Sequence, residues 1–233
     1  MATTNPYWAG VYVYHQDGRM EDLTPRQALA RPELAASGRL FPEQLARATA
    51  EAYGYRAGAG ALLTDEARTV ISDAPGNAQP YLTNLGDRQV RWVTIAHPAR
   101  DPATISAVFL TDSSSGATKV WRPRRGTRLL SNAGAIRLVK ALPLAWTGCC
   151  DENENDYWAR KAVEPTPVFA HGRLYYLVSV VANPQYIATT EPVDETVVVD
   201  AQRGLVAGEY GHADSGADAN LRKFFTAASP TSR

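Results

Sequence analysis

Thr196-Val197-Val198-Val199-Asp200-Ala201-Gln202-Arg203-Gly204-Leu205-Val206 reads as a strand, a tight turn and a second strand. The β-branched run suits a pleated surface. Asp and Gly are what a tight reversal requires: a short side chain that binds its own backbone, and a residue free to take positive φ. The same order occurs earlier, in Ala107-Val108-Phe109-Leu110-Thr111-Asp112, three residues and Gly116. The two aspartates are 88 residues apart, and so are the two glycines.

Working outward, each hairpin is preceded by the same elements. An apolar strand ends in a proline turn: Val90–Ile95 before His97-Pro98, and Leu174–Val181 before Asn183-Pro184, offset by 85 or 86 residues. A helical pattern comes before that, over Pro42–Tyr53 and over Ser131–Leu142. In the first helix Phe41, Leu45, Ala48, Thr49, Ala52 and Tyr53 share one face and are expected to pack inward. In the second, Ser131 is the cap and Ile136, Val139 and Leu142 are the buried stripe. The chain thus reads as one unit used twice, over 41–125 and 129–211. Helix 42–53 is expected to match helix 131–142, with Leu110 and Val198 as corresponding buried residues.

Residues 1–40 and 212–233 flank the repeat. Tyr7–Tyr14 mixes aromatic and β-branched residues, as strands do, and Asp17-Gly18 suits a hairpin turn. Thr24-Pro25-Arg26-Gln27 has the form of a helix start, with a Thr cap, Pro in the first turn and Gln reaching back. Pro32 interrupts that helix. At the other end, Ala217–Ala227 is amphipathic through Leu221, Phe224 and Phe225.

The fold class is therefore α+β: a helix laid across about four antiparallel strands, twice, with an N-terminal hairpin extension. This pattern resembles the cystatin-like and PepSY-like folds, and the closing strands around Val197–Val206 carry the resemblance. Many PepSY-type repeats end in an apolar strand, an Asp-containing turn with Gly and a second apolar strand. The resemblance implies tandem cystatin-like units in an extracytoplasmic protein that binds or restrains partners instead of catalysing a reaction.

Composition narrows the partners. The chain has 233 residues, with 24 basic and 24 acidic side chains. That balance argues against a nucleic-acid binder, which needs a net basic face. No apolar run approaches the ~20 residues needed to span a bilayer. Met1–Pro6 has no basic and apolar leader. The expected location is extracytoplasmic or membrane-associated if an N-terminal anchor was removed, and cytoplasmic otherwise. Arg122, Arg124, Arg125 and Arg128 form a basic run that reads as a solvated loop, with a phosphate or carboxylate site as the alternative.

Motifs for chemistry are sparse. His15, His97, His171 and His212 are scattered, and none has metal-ligand spacing. Ala57-Gly58-Ala59-Gly60-Ala61 follows a helix and lacks the spacing of a phosphate loop. Cys149 and Cys150 are adjacent, which does not suit zinc; they read as reduced thiols, or as a vicinal bridge. Asp151, Asn153 and Asn155 mimic the start of a calcium loop. The imitation fails at Asp156, where Gly is needed, and at Ala162, where Glu is needed. A solvated acidic loop is the plain reading, a weak Ca²⁺ site at Asp151, Asn153, Asn155 and Asp156 the alternative, and no other cofactor is expected.

Aromatics supply the partner-binding candidates Tyr175, Tyr176, Trp92 and Trp121. Adjacent strand residues point to opposite faces, so Tyr175 and Tyr176 cannot both be buried in a sheet covered on one side. The expected function is a non-enzymatic protein-binding or assembly module, acting on a protein partner or as a homo-oligomer. The rivals are a hydrolase with a site assembled between the units, and a phage or conjugation structural protein.

Overall fold

The computed structural model describes residues 7–55, 69–71, 78–84, 90–124, 126–144, 160–170, 172–182, 193–211 and 216–226. Helices and antiparallel sheets together make it an α+β protein. The chain divides into two compact units, unit 1 over Met1–Ile71, Gln79–Arg100 and Ser106–Arg122, and unit 2 over Ser72–Ala78, Asp101–Ile105 and Pro123–Arg233. No helix among the described residues is long and apolar enough to cross a membrane. The expected strand at Leu62–Leu63, the glycine-rich stretch 57–61, Cys149, Cys150, His171 and His212 lie outside the described residues, as do Asp151, Asn153, Asn155 and Asp156.

Unit 1 opens with the hairpin of β1 (Val11–Tyr14) and β2 (Met20–Leu23), in which Val11 faces Leu23 and Tyr14 faces Met20. Gly18 takes φ +84°, but Asp17 does not join it at positive φ. The connection runs over residues 15–19, with the His15 N–H donating to the Arg19 carbonyl and the Gly18 N–H to the His15 carbonyl, and is longer than the two-residue turn that Asp17-Gly18 suggests. Helix α1 (Pro25–Leu29) carries the full capping box: the Gln27 amide N–H donates to Thr24 Oγ1, and the Thr24 N–H donates to Gln27 Oε1 at 2.9 Å. Pro32 does more than interrupt it. Proline suits a first helical turn, and Pro32 begins α2 (Pro32–Ala35).

Glu21 of β2 accepts from Arg31 and lies 2.7 Å from His15 Nε2 and 3.0 Å from Arg19 Nη1. The Arg31 hydrogen bond, then that of His15, lowers its pKa. A carboxyl depressed in the folded state takes up its proton first in the unfolded chain as pH falls. The Glu21 contribution is therefore complete above the unfolded value of about 4.3, and it is lost as pH drops through the lower folded value. Amide protection factors in β1 and β2, that is exchange rates corrected for the intrinsic pH dependence, are expected to fall on acidification below pH 4, and Glu21→Gln to flatten that response. An unchanged acid response in Glu21→Gln would contradict the assignment.

Helix α3 (Glu43–Tyr53) packs on β3 (Thr69–Ile71) and β5 (Val90–Pro98). The inward face differs from the expected one. Ala46 and Ala50 are buried, and Ala50 joins Ala96, Ala107, Phe109, Tyr53 and Ile71 in one cluster. Of the expected stripe, Phe41, Leu45, Ala48 and Tyr53 are half-buried, and Thr49 and Ala52 are exposed. Small residues let the helix approach the sheet at Ala96 and Ala107.

The sheet runs β3-β5-β6-β7, with β6 at Ala107–Asp112 and β7 at Thr118–Trp121. An additional strand, β4 (Tyr81–Asn84), was not expected from the sequence; it pairs with Val90–Val93 of β5, while β3 pairs with Ala96–Pro98. Thr94 and Ile95 fall in the gap between them. Gln79 fills it: its Nε2 donates to the Ile95 carbonyl at 3.1 Å and its Oε1 accepts from the Ile95 N–H at 2.6 Å. A side-chain amide thus replaces one residue of a broken neighbouring strand.

In unit 2, α4 (Asn132–Lys140) has Ser131 as its cap, accepting from Gly134 N at 3.2 Å, and buries Ala135, Ile136 and Val139. Leu142, expected in that stripe, lies past the helix end and is half-buried. A four-stranded antiparallel meander follows, of β8 (Arg160–Ala170), β9 (Arg173–Ala182), β10 (Val193–Asp200) and β11 (Leu205–Gly211). Here the first strand is continuous along β9 apart from a register shift at Glu164-Pro165, where Glu164 takes φ 52°.

Helix α5 (Ala217–Thr226) changes the outcome for the tyrosines. Phe224 and Phe225 meet the Tyr175 ring edge-on, with centroids 5.3 and 6.0 Å away. Tyr175 is 6% exposed and Tyr176 0%. The expected outward-facing member of the pair does not exist, because α5 covers the second face of β9. Replacing both Phe224 and Phe225 by Ala is expected to make Tyr175 reactive to tetranitromethane, read by peptide mass mapping. Equal protection in the parent and the double variant would contradict the covering role.

The two Asp turns make the same backbone hydrogen bonds, although Asp112 Oδ1 also accepts from Ser115 Oγ and Asp200 pairs with Arg173 instead. Asp112 Oδ1 accepts from Ser114 N at 3.2 Å and Ser115 N at 2.7 Å; Asp200 Oδ1 accepts from Gln202 N at 2.8 Å and Arg203 N at 2.9 Å. The Gly116 N–H donates to the Asp112 carbonyl and the Gly204 N–H to that of Asp200, at 2.8 and 2.9 Å. Both glycines take positive φ, +78° and +62°. Gly116 has a second constraint, since a Cβ there would lie 2.3 Å from the Phe41 ring. Val198 is fully buried, whereas Leu110, at the matching place before the turn, is half-buried.

Candidate interaction surface

Apart from Tyr53, which packs inward on Phe109, the α3 stripe that was expected to pack inward lines a groove. Phe41, Leu45, Ala48, Thr49 and Ala52 form one side of a depression of about 300 Å³, and Tyr7 and Trp8 form the other. Trp8 is held in place from two directions. Its ring meets Phe41 edge-on at 5.8 Å, and its Nε1 donates to the Gly10 carbonyl at 2.9 Å. Phe41 is fixed in turn, its N–H donating to the Ser113 carbonyl at 2.7 Å and its own carbonyl accepting from Trp92 Nε1 at 3.0 Å. Helix α3 therefore has two apolar faces. One is small and faces the sheet; the other is larger and borders a lined surface groove.

A second apolar feature lies on the N-terminal hairpin. Tyr12 and Tyr14 are two apart on β1 and so share a face, and Met20 is the ladder partner of Tyr14. Tyr12 is 62% exposed, Tyr14 76% and Met20 53%. Large aromatic and methionine side chains exposed together are characteristic of protein contact surfaces.

The four aromatic candidates fare differently. Tyr175 and Tyr176 are interior residues of unit 2. Trp92 is half-buried, and its indole N–H serves the Phe41 carbonyl. Trp121 alone among them has a large exposed share, 39%. Tyr7, Trp8, Tyr12 and Tyr14 were visible as an aromatic cluster, but burial depends on what folds against the strand.

The arginine run forms no single centre among the described residues. Arg122 stacks over the Tyr53 ring at 5.2 Å and donates to its hydroxyl. Arg128 pairs with Asp101 at 2.7 Å. Arg128 and Arg203 line a depression in unit 2 beside Thr104 and Gly204. Among the described residues no group of three His, Cys, Asp or Glu is arranged to hold a metal.

No family model, no curated protein and no solved structure matches this chain.

Proposed function

We propose that this chain is a non-enzymatic protein-binding or assembly module made of two tandem cystatin-like units, the soluble part of an envelope-associated protein. The matching hydrogen bonds of the Asp112 and Asp200 turns support the tandem reading, as does the shared order of one helix followed by antiparallel strands. The envelope association rests on the resemblance of the closing hairpins to PepSY-type repeats.

The observation that carries the binding role is the groove along α3. An apolar helix stripe outside the sheet core gains free energy when a partner removes it from water, at ~25 cal/mol per Å² of apolar surface. Trp8 and Phe41 are held there by hydrogen bonds and a ring contact, so little order has to be imposed on them on binding.

A photo-crosslinking residue at Ala48, inside the groove, tests this in the native host, with the same residue at exposed Glu33 as the control. A discrete adduct with one protein from Ala48 and none from Glu33 is the expected result. Folded Ala48 variants that form no adduct, or the same adducts as Glu33, would remove the groove from the account.

A further inference from the structure

Strand β7 has one neighbour among the described residues, β6, and lies at the end of its sheet. Alternate residues of such a strand turn their N–H and C=O groups outward, where another strand can pair with them. Edge strands in soluble proteins are normally blunted by charge, proline or a covering segment. Here Lys119 and Arg122 place charge at the two ends of the edge, and between them Val120 and Trp121 are exposed. The apolar pair is not incidental, since Val120 is 40% exposed and Trp121 39%.

The faces can be assigned. Val120 is the ladder partner of Phe109, whose ring meets Tyr53 edge-on at 5.0 Å, so Val120 lies on the α3 side. Arg122 joins it there, stacked on the same Tyr53 ring. Lys119 and Trp121 project to the opposite face, as the partners of Leu110 and Val108. Each face of the edge thus offers one apolar side chain and one cation, and Tyr53 holds one of the cations in place.

We infer that β7 is a strand-addition site for an extended peptide segment of another protein, with two apolar residues flanked on each side by a carboxylate. Backbone pairing supplies the affinity in this mode, and alternate side chains supply the choice of partner. The charges decide against a second copy of this chain. Symmetric antiparallel pairing that matches Val120 to Trp121 sets Lys119 against Arg122, and like charges directly opposite each other are unfavourable. An acidic, apolar, apolar, acidic strand converts both repulsions into attractions and matches the apolar pair. This site shares no lining residue with the α3 groove, so either can fail without the other.

The test uses the full chain and two fluorescein-labelled decapeptides, Ser-Thr-Thr-Glu-Val-Ile-Glu-Thr-Thr-Ser and the same peptide with both Glu replaced by Lys. The acidic peptide is expected to bind about tenfold or more tightly than the basic one, two charge pairs being reversed between them. In the double variant Lys119→Glu/Arg122→Glu the order of preference is expected to invert. That inversion is the decisive reading, because loss of binding alone could follow from damage to the strand. Amide exchange should also slow within Thr118–Trp121 on binding of the acidic peptide. Equal affinities for the two peptides, no binding of either, or a preference that survives the double charge reversal would overturn the proposal. So would sedimentation as a dimer that dissociates on Lys119→Glu/Arg122→Glu.

Discussion

Phe109→Ala is expected to cost ~3–5 kcal/mol, the usual range for emptying a packed aromatic site. Phe109 is 1% exposed, in the middle of β6, and its neighbours are unable to fill the hole. Ala50 reaches it from α3, and Ala96 and Ala107 from the sheet; these methyl groups have no further length to extend. Tyr53 would lose its edge-on partner at 5.0 Å as well. The adjacent Leu110 provides the contrast. It is half-buried on the other face of the same strand, so Leu110→Ala removes fewer contacts and should cost about 1–2 kcal/mol, below the range for fully buried leucines. Urea unfolding of both variants measures the difference. Equal losses, or a larger loss from Leu110→Ala, would mean that the α3 side is not the core of unit 1.

That contrast also shows where sequence reading stopped. The turns were legible because their chemistry is local. Asp112 and Asp200 bind backbone amides two and three residues on, and Gly116 and Gly204 supply the positive φ. The Thr24–Gln27 box and the Ser131 cap are local in the same sense, and both form. The α3 face was not legible, because periodicity follows the largest apolar residues. Leu45 and Phe41 marked one stripe, but the sheet accepts the smaller one through Ala46 and Ala50. Alanine carries little hydropathy, and its advantage is close approach, which only the partner surface reveals. Tyr175 escaped for a related reason. Alternation assigns it a face, and the helix covering that face comes some forty residues later in the chain.

The site was legible only as a composition. Aromatics were dense at Tyr7, Trp8, Tyr12 and Tyr14, and that density became a surface. Tyr175 and Tyr176 looked equally suitable and became core. The difference lies in the element that folds over each strand, α5 in unit 2, whereas Tyr12 and Tyr14 stay exposed on the hairpin. Strand β4 was missed because Tyr81–Asn84 has four residues and follows Pro80, which reads as loop. It is recognisable as a strand only from its pairing with Val90–Val93.

Gln79→Ala should be the other severe loss. Gln79 is 1% exposed, and its amide meets both backbone groups of Ile95 in the gap between β3 and β4. Ile95 is itself fully buried. Alanine would leave an N–H and a C=O without partners, at ~1–3 kcal/mol for each, or roughly 2–6 together. The carboxyl analogue separates shape from hydrogen bonding. In Gln79→Glu the ionised side chain can still accept from the Ile95 N–H, but it sets a second acceptor against the Ile95 carbonyl and buries a charge. Once protonated it offers one O–H donor and one acceptor, the same pair that the amide supplies. Burial and the facing carbonyl both raise its folded pKa above the unfolded value. Gln79→Glu should therefore lose stability relative to the parent as pH rises from the unfolded carboxyl value of about 4.3 through the raised folded value, and recover much of it near pH 4. Urea midpoints for the parent, Gln79→Ala and Gln79→Glu at pH 4 and pH 7 measure this directly. A Gln79→Ala midpoint equal to the parent's, or a Gln79→Glu deficit that does not shrink at pH 4, would show that the amide is not what completes the sheet at Ile95.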